Sequence, residues 1–216
     1  MTKNAIIKNE SLRYNFVDIL KGILIIMVVI GHSNAPYRGF LFWFHMPAFF
    51  MVSGFLNKEI TVKDFYSKIF QKIQYFFIPY FSYYLLIIFL IFGLGLHQVN
   101  LDWLQFYIPS FFLGGTYLAG DLTVFWFIPT LVFVYIFFNI LKLYIKYDVF
   151  IIGIVTLLFC LAHYFSPIYL SQQKINITWW DWRYMGVSTM YFMIGYHGRI
   201  LYQKYVVRSM SWVFIA

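Results

Sequence analysis

The sequence has 216 residues, of which 62% are hydrophobic, 25% aromatic and only 11% charged, with a mean hydropathy of +0.73; a water-soluble domain would expose much of that apolar surface and aggregate. Lys and Arg exceed Asp and Glu by a net charge of +8, and in a membrane chain such an excess gathers in segments facing the anionic cytoplasmic leaflet, so the charge reads as topology and not as a nucleic-acid footprint. The single cysteine, Cys160, rules out an internal disulfide and a thiolate metal set.

The N-terminal stretch MTKNAIIKNESLRYNF is basic and leads into an apolar run without a small-residue cleavage signature, so the first span is expected to be retained. Crossing the hydrocarbon core takes about 20 mostly apolar residues. Stretches of that kind fall at roughly 16–35, 39–56, 75–96, 122–143, 149–170 and 184–201. A seventh begins at Met210 and stops at Ala216, as a C-terminally truncated chain would. The expected fold is therefore an all-α polytopic transmembrane bundle forming a single domain over residues 1–216, with six full spans and the start of a seventh.

Orientation follows from the basic residues between spans. With the N-terminus in the cytoplasm, the inside segments hold Lys3, Lys8, Arg13, Lys58, Lys63, Lys68, Lys72, Lys142, Lys146, Arg199, Lys204 and Arg208, against Arg38, Lys174 and Arg183 outside. The outer segment 97–121, aromatic and apolar around Pro109, suits an interfacial or re-entrant piece. Trp179, Trp180 and Trp182 read as an aromatic belt before the sixth span. No repeat and no low-complexity linker interrupts the chain.

The first span carries Asp18, Lys21 and His32 inside the run VDILKGILIIMVVIGHS. On a helix Lys21 and His32 differ by about 20° in direction and about 16 Å in depth, so they line one side at two levels. Asp18 is one turn below Lys21 and can neutralise it. The second span begins FLFWFHMPAFFMVSG and returns, which places His45 near the same outer end as His32. Ionisable residues inside a membrane are functional candidates by default, although snorkelling lysines and helix-joining histidines supply a structural alternative. A histidine, with its ordinary pKa near 6.5, suits a general base that takes a proton from a hydroxyl and returns it to a leaving group. Lys21 is too deep to share that step but can hold an anionic part of an elongated substrate. No acidic or thiolate group completes a metal set with the histidines, so no metal is expected. Ser53 and Gly54 invite a nucleophile reading, yet a Ser-Gly pair in a membrane helix more often lets two helices approach closely.

The pattern LRYNFVDILKGILIIMVVIGHS, followed by FWFHMPAFFMVSGFL and a basic stretch leading into YFFIPYF, resembles the N-terminal part of the integral membrane acyltransferase-3 family, bacterial O-acyltransferases of cell-surface sugars that include a fucose 4-O-acetylase-like branch. The family's first helix has a basic residue, ten residues and then a histidine, as Lys21 and His32 do. Phe49, Phe50, Ser53 and Gly54 match its FF-x-x-SG pattern, and WFIPTLVFVY from Trp126 resembles its later Trp-Phe-Leu helix. The resemblance covers most of residues 13–142, in a family whose members have about ten spans.

It implies acetyl-CoA or another acyl-CoA as donor, reached from the cytoplasm, and a hydroxyl of a glycan or lipid-linked sugar as acceptor. His32 would be the catalytic base, while Lys21, Asp18, Arg13 and His45 would line the substrate path. Lys68 and Lys72 stand near where the family often has paired arginines; they would contact the CoA phosphates as point charges without the arginine fork. The implied location is the bacterial cytoplasmic membrane, among its lipids. A transporter with a His- and Lys-lined path is the rival, but it would favour broken helices in matched halves, and no matching Gly/Pro-interrupted pair occurs. A structural subunit would tolerate loss of His32.

Overall fold

Backbone placed in hydrocarbon must satisfy its own hydrogen bonds, and a helix does so within one segment. The computed structural model describes residues 14–36, 38–95, 105, 125–172 and 182–207, and no strand occurs among them. Its helices are α1 (Asn15–His32), α2 (Arg38–Phe55), α3 (Phe65–Gly93), α4 (Phe127–Tyr144), α5 (Asp148–Gln172) and α6 (Trp182–Leu201), the last running into a π-helical turn at Tyr202–Val207. The proposed seventh span from Met210, the segment 97–121 apart from Gln105, Trp179, Trp180 and Arg13 lie outside the described residues.

Among the described residues four helices are long and apolar enough to cross a membrane: Asn15–His32, Phe65–Ile91, Phe127–Tyr144 and Asp148–Phe165. α2 and α6 are not among them. Their sequences explain this: α2 carries Arg38, His45, Pro47 and Ser53, and α6 carries Arg183, Ser188, Thr189, His197 and Arg199. These are also helices turned inward, because His45, Arg183, Ser188 and Thr189 are all buried. Polar side chains in such helices are met by protein and not by lipid.

Contacts at the helix ends define an up-and-down arrangement. α1 and α2 run in opposite directions, since Phe16 meets Phe55 at one end and His32 meets Phe42 at the other. α3 and α4 do likewise, with Lys72 over the Tyr135 ring and Tyr80 against Phe125. α4 and α5 form a tight hairpin closed by Lys142 and Asp148, 2.7 Å apart. α2 and α6 run the same way, because Glu59 and Asn57 beyond the end of α2 bond Tyr196 and Arg199 near the end of α6. The starts of α1, α3 and α5 and the ends of α2, α4 and α6 therefore share one face. Lys58, Lys63, Lys68, Lys142, Lys146, Arg199 and Lys204 lie toward that face, whereas Arg38 and Arg183 lie at the opposite end.

The core explains which helix sides turn inward. Phe50, Val134, Phe138, Ile151, Val155, Phe192 and Tyr196 from α2, α4, α5 and α6 form its centre. Val17, Leu24 and Gly31, seven residues apart, are the buried residues of α1, and the first two pack with Val52 of α2. The other sides of α1 expose Ile19, Ile23, Ile26 and Val29, a distribution suited to lipid contact.

α6 is central because it packs on α2, α4 and α5. Its crossing with α2 depends on two glycines: a Cβ at Gly54 would land on the Phe192 carbonyl oxygen, and one at Gly195 would land on the Met51 carbonyl oxygen. Each missing side chain admits the other helix's backbone, the close approach that small residues permit in membrane helices. Gly54 thus belongs to packing, as the structural reading of the Ser-Gly pair anticipates. Gly186 repeats the device against α5, where a Cβ would come within 2.8 Å of the Leu158 oxygen.

Gly195→Leu should therefore destabilise the bundle by at least the roughly 1–3 kcal/mol typical of overpacking. Gly153→Ala, at a helical position with nothing within 4 Å of the added Cβ, should be neutral or slightly stabilising. Thermal unfolding of the two purified variants checks the contrast, and equal melting temperatures would contradict the crossing.

Candidate functional site

The residues singled out by sequence fall into two groups at different levels of the bundle. At the basic end Asp18 and Lys21 form an ion pair of 3.6 Å, with side chains 44% and 40% exposed. The pair occupies one helical turn, so α1 carries a lysine near its start with a partly compensated charge. Across from it, on α3, the Lys72 ammonium sits 5.0 Å from the Phe76 ring centroid and 5.1 Å from that of Tyr135. Aromatic faces of this kind hold a cation by their quadrupole. Lys21 and Lys72 are close enough for their charges to repel one another. Lys68 is exposed one turn earlier on α3.

Among the described residues α3 packs along α4. A separate cavity of 410 Å³ between α1, α2 and α6 is lined by Phe16, Leu20, Met51, Val52 and Ile194 among others. Apart from the Tyr202 phenol it presents no ionisable group, and it lies on another side of α1 from Lys21.

The second group lies at the other end of α1. The α1–α2 connection is held by the Ser33 hydroxyl, which donates to the Ile30 carbonyl at 2.7 Å, and by Arg38, which donates to the Ser33 carbonyl at 2.9 Å. His32, the last residue of α1, is exposed and meets the Phe42 ring edge-on with centroids 5.3 Å apart. Phe42 in turn lies 5.1 Å from the His45 ring. It can do so because Gly31 has no side chain: a Cβ there would already lie 3.4 Å from the Phe42 ring.

The two histidines approach the same place, but unequally. His45 is only 1% exposed and lies seven residues before Val52, on the side of α2 turned toward α1. Its Nδ1 bonds the Leu41 carbonyl. A carbonyl only accepts, so the neutral ring carries its proton on Nδ1 and keeps a lone pair on Nε2. Among the described residues His32 has no hydrogen-bond partner, and the ring contact with Phe42 sets its position. Lys21 and His32 remain on one side of α1, about 60–100° from the buried seam and about 16 Å apart in depth.

Sequence reasoning missed a polar cluster at the basic end. Asn57 and Asn139, both buried, exchange amide hydrogen bonds of 3.3 Å, and Asn139 also donates to the Tyr135 carbonyl at 2.7 Å. Tyr196 donates to Glu59 at 2.6 Å, while Arg199 donates to the Asn57 carbonyl at the same distance. The available signal was Asn139 inside the apolar run VYIFFNIL and the polar YHGR of α6. Spacing alone could not join positions 82 and 142 residues apart. Among the described residues no three His, Cys, Asp or Glu side chains converge on one point.

A family model described as an acyltransferase domain matches residues 14–216, which includes both groups and all six helices. The chain belongs to the acyltransferase-3 family. The match extends beyond the 13–142 of the sequence resemblance and takes in α5 and α6. No curated protein and no solved structure matches the chain. Membership of this membrane acyltransferase family makes acyl transfer the chemistry against which the two groups are judged.

For such an acyltransferase, Phe42 is the side chain that sets the His32 ring. Phe42→Ala should lower kcat for acyl transfer by roughly tenfold, the scale of losing about 1.4 kcal/mol of positioning, with little change in KM for the donor. Steady-state kinetics of the reconstituted protein would test this; a change confined to KM would contradict it.

Proposed function

We propose that the protein is a bacterial cytoplasmic-membrane O-acyltransferase that moves an acetyl or other acyl group from acyl-CoA to a hydroxyl of a cell-surface or lipid-linked sugar. In this reading α1–α6 all span the membrane, the N-terminus is cytoplasmic, and the basic face is the cytoplasmic one. The observation that supports it is the placing of Lys21 and of the ring-seated Lys72 at the basic end of the bundle, the far end of α1 from His32. Lys21, paired with Asp18 at 3.6 Å, Lys68 and Lys72 together leave this end positive, which favours a polyanion, and CoA supplies phosphates. The pantetheine arm is similar in length to the roughly 16 Å of helix rise between Lys21 and His32.

The chemistry then assigns roles. Lys21, Lys68 and Lys72 hold the CoA phosphates by charge-assisted contacts. Asp18 offsets Lys21 when the site is empty. At the outer end the His32 imidazole accepts the sugar hydroxyl proton as the oxygen attacks the thioester carbonyl. Collapse of the tetrahedral adduct breaks the C–S bond, and the proton passes from His32 to the departing CoA sulfur. The products are the sugar ester and free CoA. His45, with its proton held on Nδ1 by Leu41, offers Nε2 as an acceptor to the sugar side of the site.

The test is transfer of radiolabel from acetyl-CoA into envelope glycan by the reconstituted full chain. His32→Ala should lower kcat by about 100-fold or more, the range of a lost general base. Lys72→Ala and Lys21→Ala should each raise KM for the donor by roughly tenfold, as for one lost charge-assisted contact. Incorporation unaffected by His32→Ala would remove it from the base role, and proton-coupled sugar uptake with no incorporation would replace transfer by transport.

A further inference from the structure

The cavity between α1, α2 and α6 takes no part in the roles proposed for the two groups on α1. Its 410 Å³ are walled by Phe16 and Leu20 of α1, Met51 and Phe55 of α2, and Ile194 and Gly198 of α6. It is open to its surroundings, and its size falls within the roughly 300–1,000 Å³ of ligand cavities. Tyr202 lines it at the basic end, so from Ile194 it extends about 12 Å along α6 and its continuation.

The space exists because a side chain is missing. Gly54, Gly186 and Gly195 give theirs to the backbone of a neighbouring helix, whereas a Cβ added at Gly198 meets nothing within 4 Å. Gly198 is nevertheless half-buried, so the room beside it is the cavity and belongs to no helix crossing.

The mouth differs from the walls. At the basic end Tyr14 lies 5.3 Å from Phe55 and 5.8 Å from Tyr202, and Phe16 lies 5.5 Å from Tyr202, ring centre to ring centre. The Tyr14 hydroxyl accepts from Gln203 at 3.1 Å. Tyrosines with apolar rings and wet hydroxyls stand at the membrane–water boundary. Lys58 follows Phe55 closely in the chain and Lys204 follows Tyr202, and both are exposed at this end. Hydrocarbon walls beneath phenols and ammonium groups suit a molecule with an alkyl chain and an anionic head.

Depth decides which molecule that is. An acyl group transferred at His32 has to reach the other end of α1, and even Leu20 is about 18 Å of helix rise from His32. The transferred group is therefore not the occupant. Water needs two to four polar partners, which these walls do not offer, while the bilayer supplies hydrocarbon chains at this depth.

We propose that the cavity is a lipid site that seats one acyl chain of an anionic membrane phospholipid, with its phosphate at the rim among Lys58, Lys204 and the tyrosine hydroxyls. Basic residues beside membrane helices attract anionic headgroups in this way. The seated chain completes the packing of α1 against α2 and α6. The inference goes beyond acyl transfer and stands whether or not the protein consumes acyl-CoA.

Photo-cross-linking of the full chain in lipid nanodiscs tests it, with phosphatidylglycerol carrying a diazirine midway along one chain as the probe. Label on the wild type should concentrate on segments 16–20, 51–55 and 194–202. Gly198→Leu, which fills the cavity without striking a neighbour, should lower that labelling about fivefold or more, the scale of one or two methylene groups denied burial. Ile194→Phe, which narrows the cavity from a partly exposed position, should give the same loss. Lys58→Ala/Lys204→Ala should reduce labelling to that given by phosphatidylcholine with the same diazirine. Thermal unfolding supplies a second readout and shows that each variant is folded. Phosphatidylglycerol should raise the melting temperature of the wild type above its value in phosphatidylcholine, and Gly198→Leu should not respond to the exchange. Label spread as strongly over Ile19, Ile23 and Val29, equal labelling of the wild type by the two lipids, or preferential labelling of the cavity by a diazirine-bearing long-chain acyl-CoA would each overturn the proposal.

Discussion

The crossing of α2 and α6 at Gly54 and Gly195 is the constraint on which the rest of the bundle depends. Where the two backbones meet, each glycine admits a carbonyl of the opposite helix into the space a Cβ would occupy. In a membrane there is no hydrophobic drive to bring helices together, so contact distance and packing supply the attraction. α6 then gathers α4 and α5 around it, and α2 carries α1. α1 joins the bundle through α2, with Phe16 also meeting Tyr202 beyond the end of α6.

The two ends of α1 then acquire different chemistry for a geometric reason. Alternating helix directions bring the lysine-bearing turns of α1 and α3 to one level, and the α1–α2 connection brings His32 and His45 to the other. Lys21 is paired with Asp18, and Lys72 lies against two aromatic faces. The histidines are set by contacts with uncharged partners, Phe42 for His32 and the Leu41 carbonyl for His45.

Much of this was legible in the residues. Apolar runs of membrane length marked every helix from α1 to α6, although α2 and α6 lack the unbroken apolarity of the other four. Their deficit is informative: Gly54, Gly186 and Gly195 sit where helices touch, and the polar residues around them face protein. The helical spacing of Lys21 and His32 was sufficient to put them on one side. Sequence reasoning also brought His45 toward His32, but it gave both the same cavity, whereas His45 is buried in the α1–α2 seam and His32 is exposed. The difference arises from Gly31, whose missing side chain lets Phe42 lie between them.

The sequence by itself determined the class of protein, the helices, the pairing of Asp18 with Lys21 and the depth separating Lys21 from His32, because each follows from composition or from the fixed rise and turn of a single helix. Only the tertiary structure decided that Lys72 rests on the Tyr135 ring of α4, that Phe42 separates the histidines, and that Asn57, Asn139, Tyr196 and Arg199 join at the basic end. Those contacts link residues far apart in the chain, through helix crossings set by where side chains are absent. Periodicity within one helix carries no information about which turn of another helix will lie beside it.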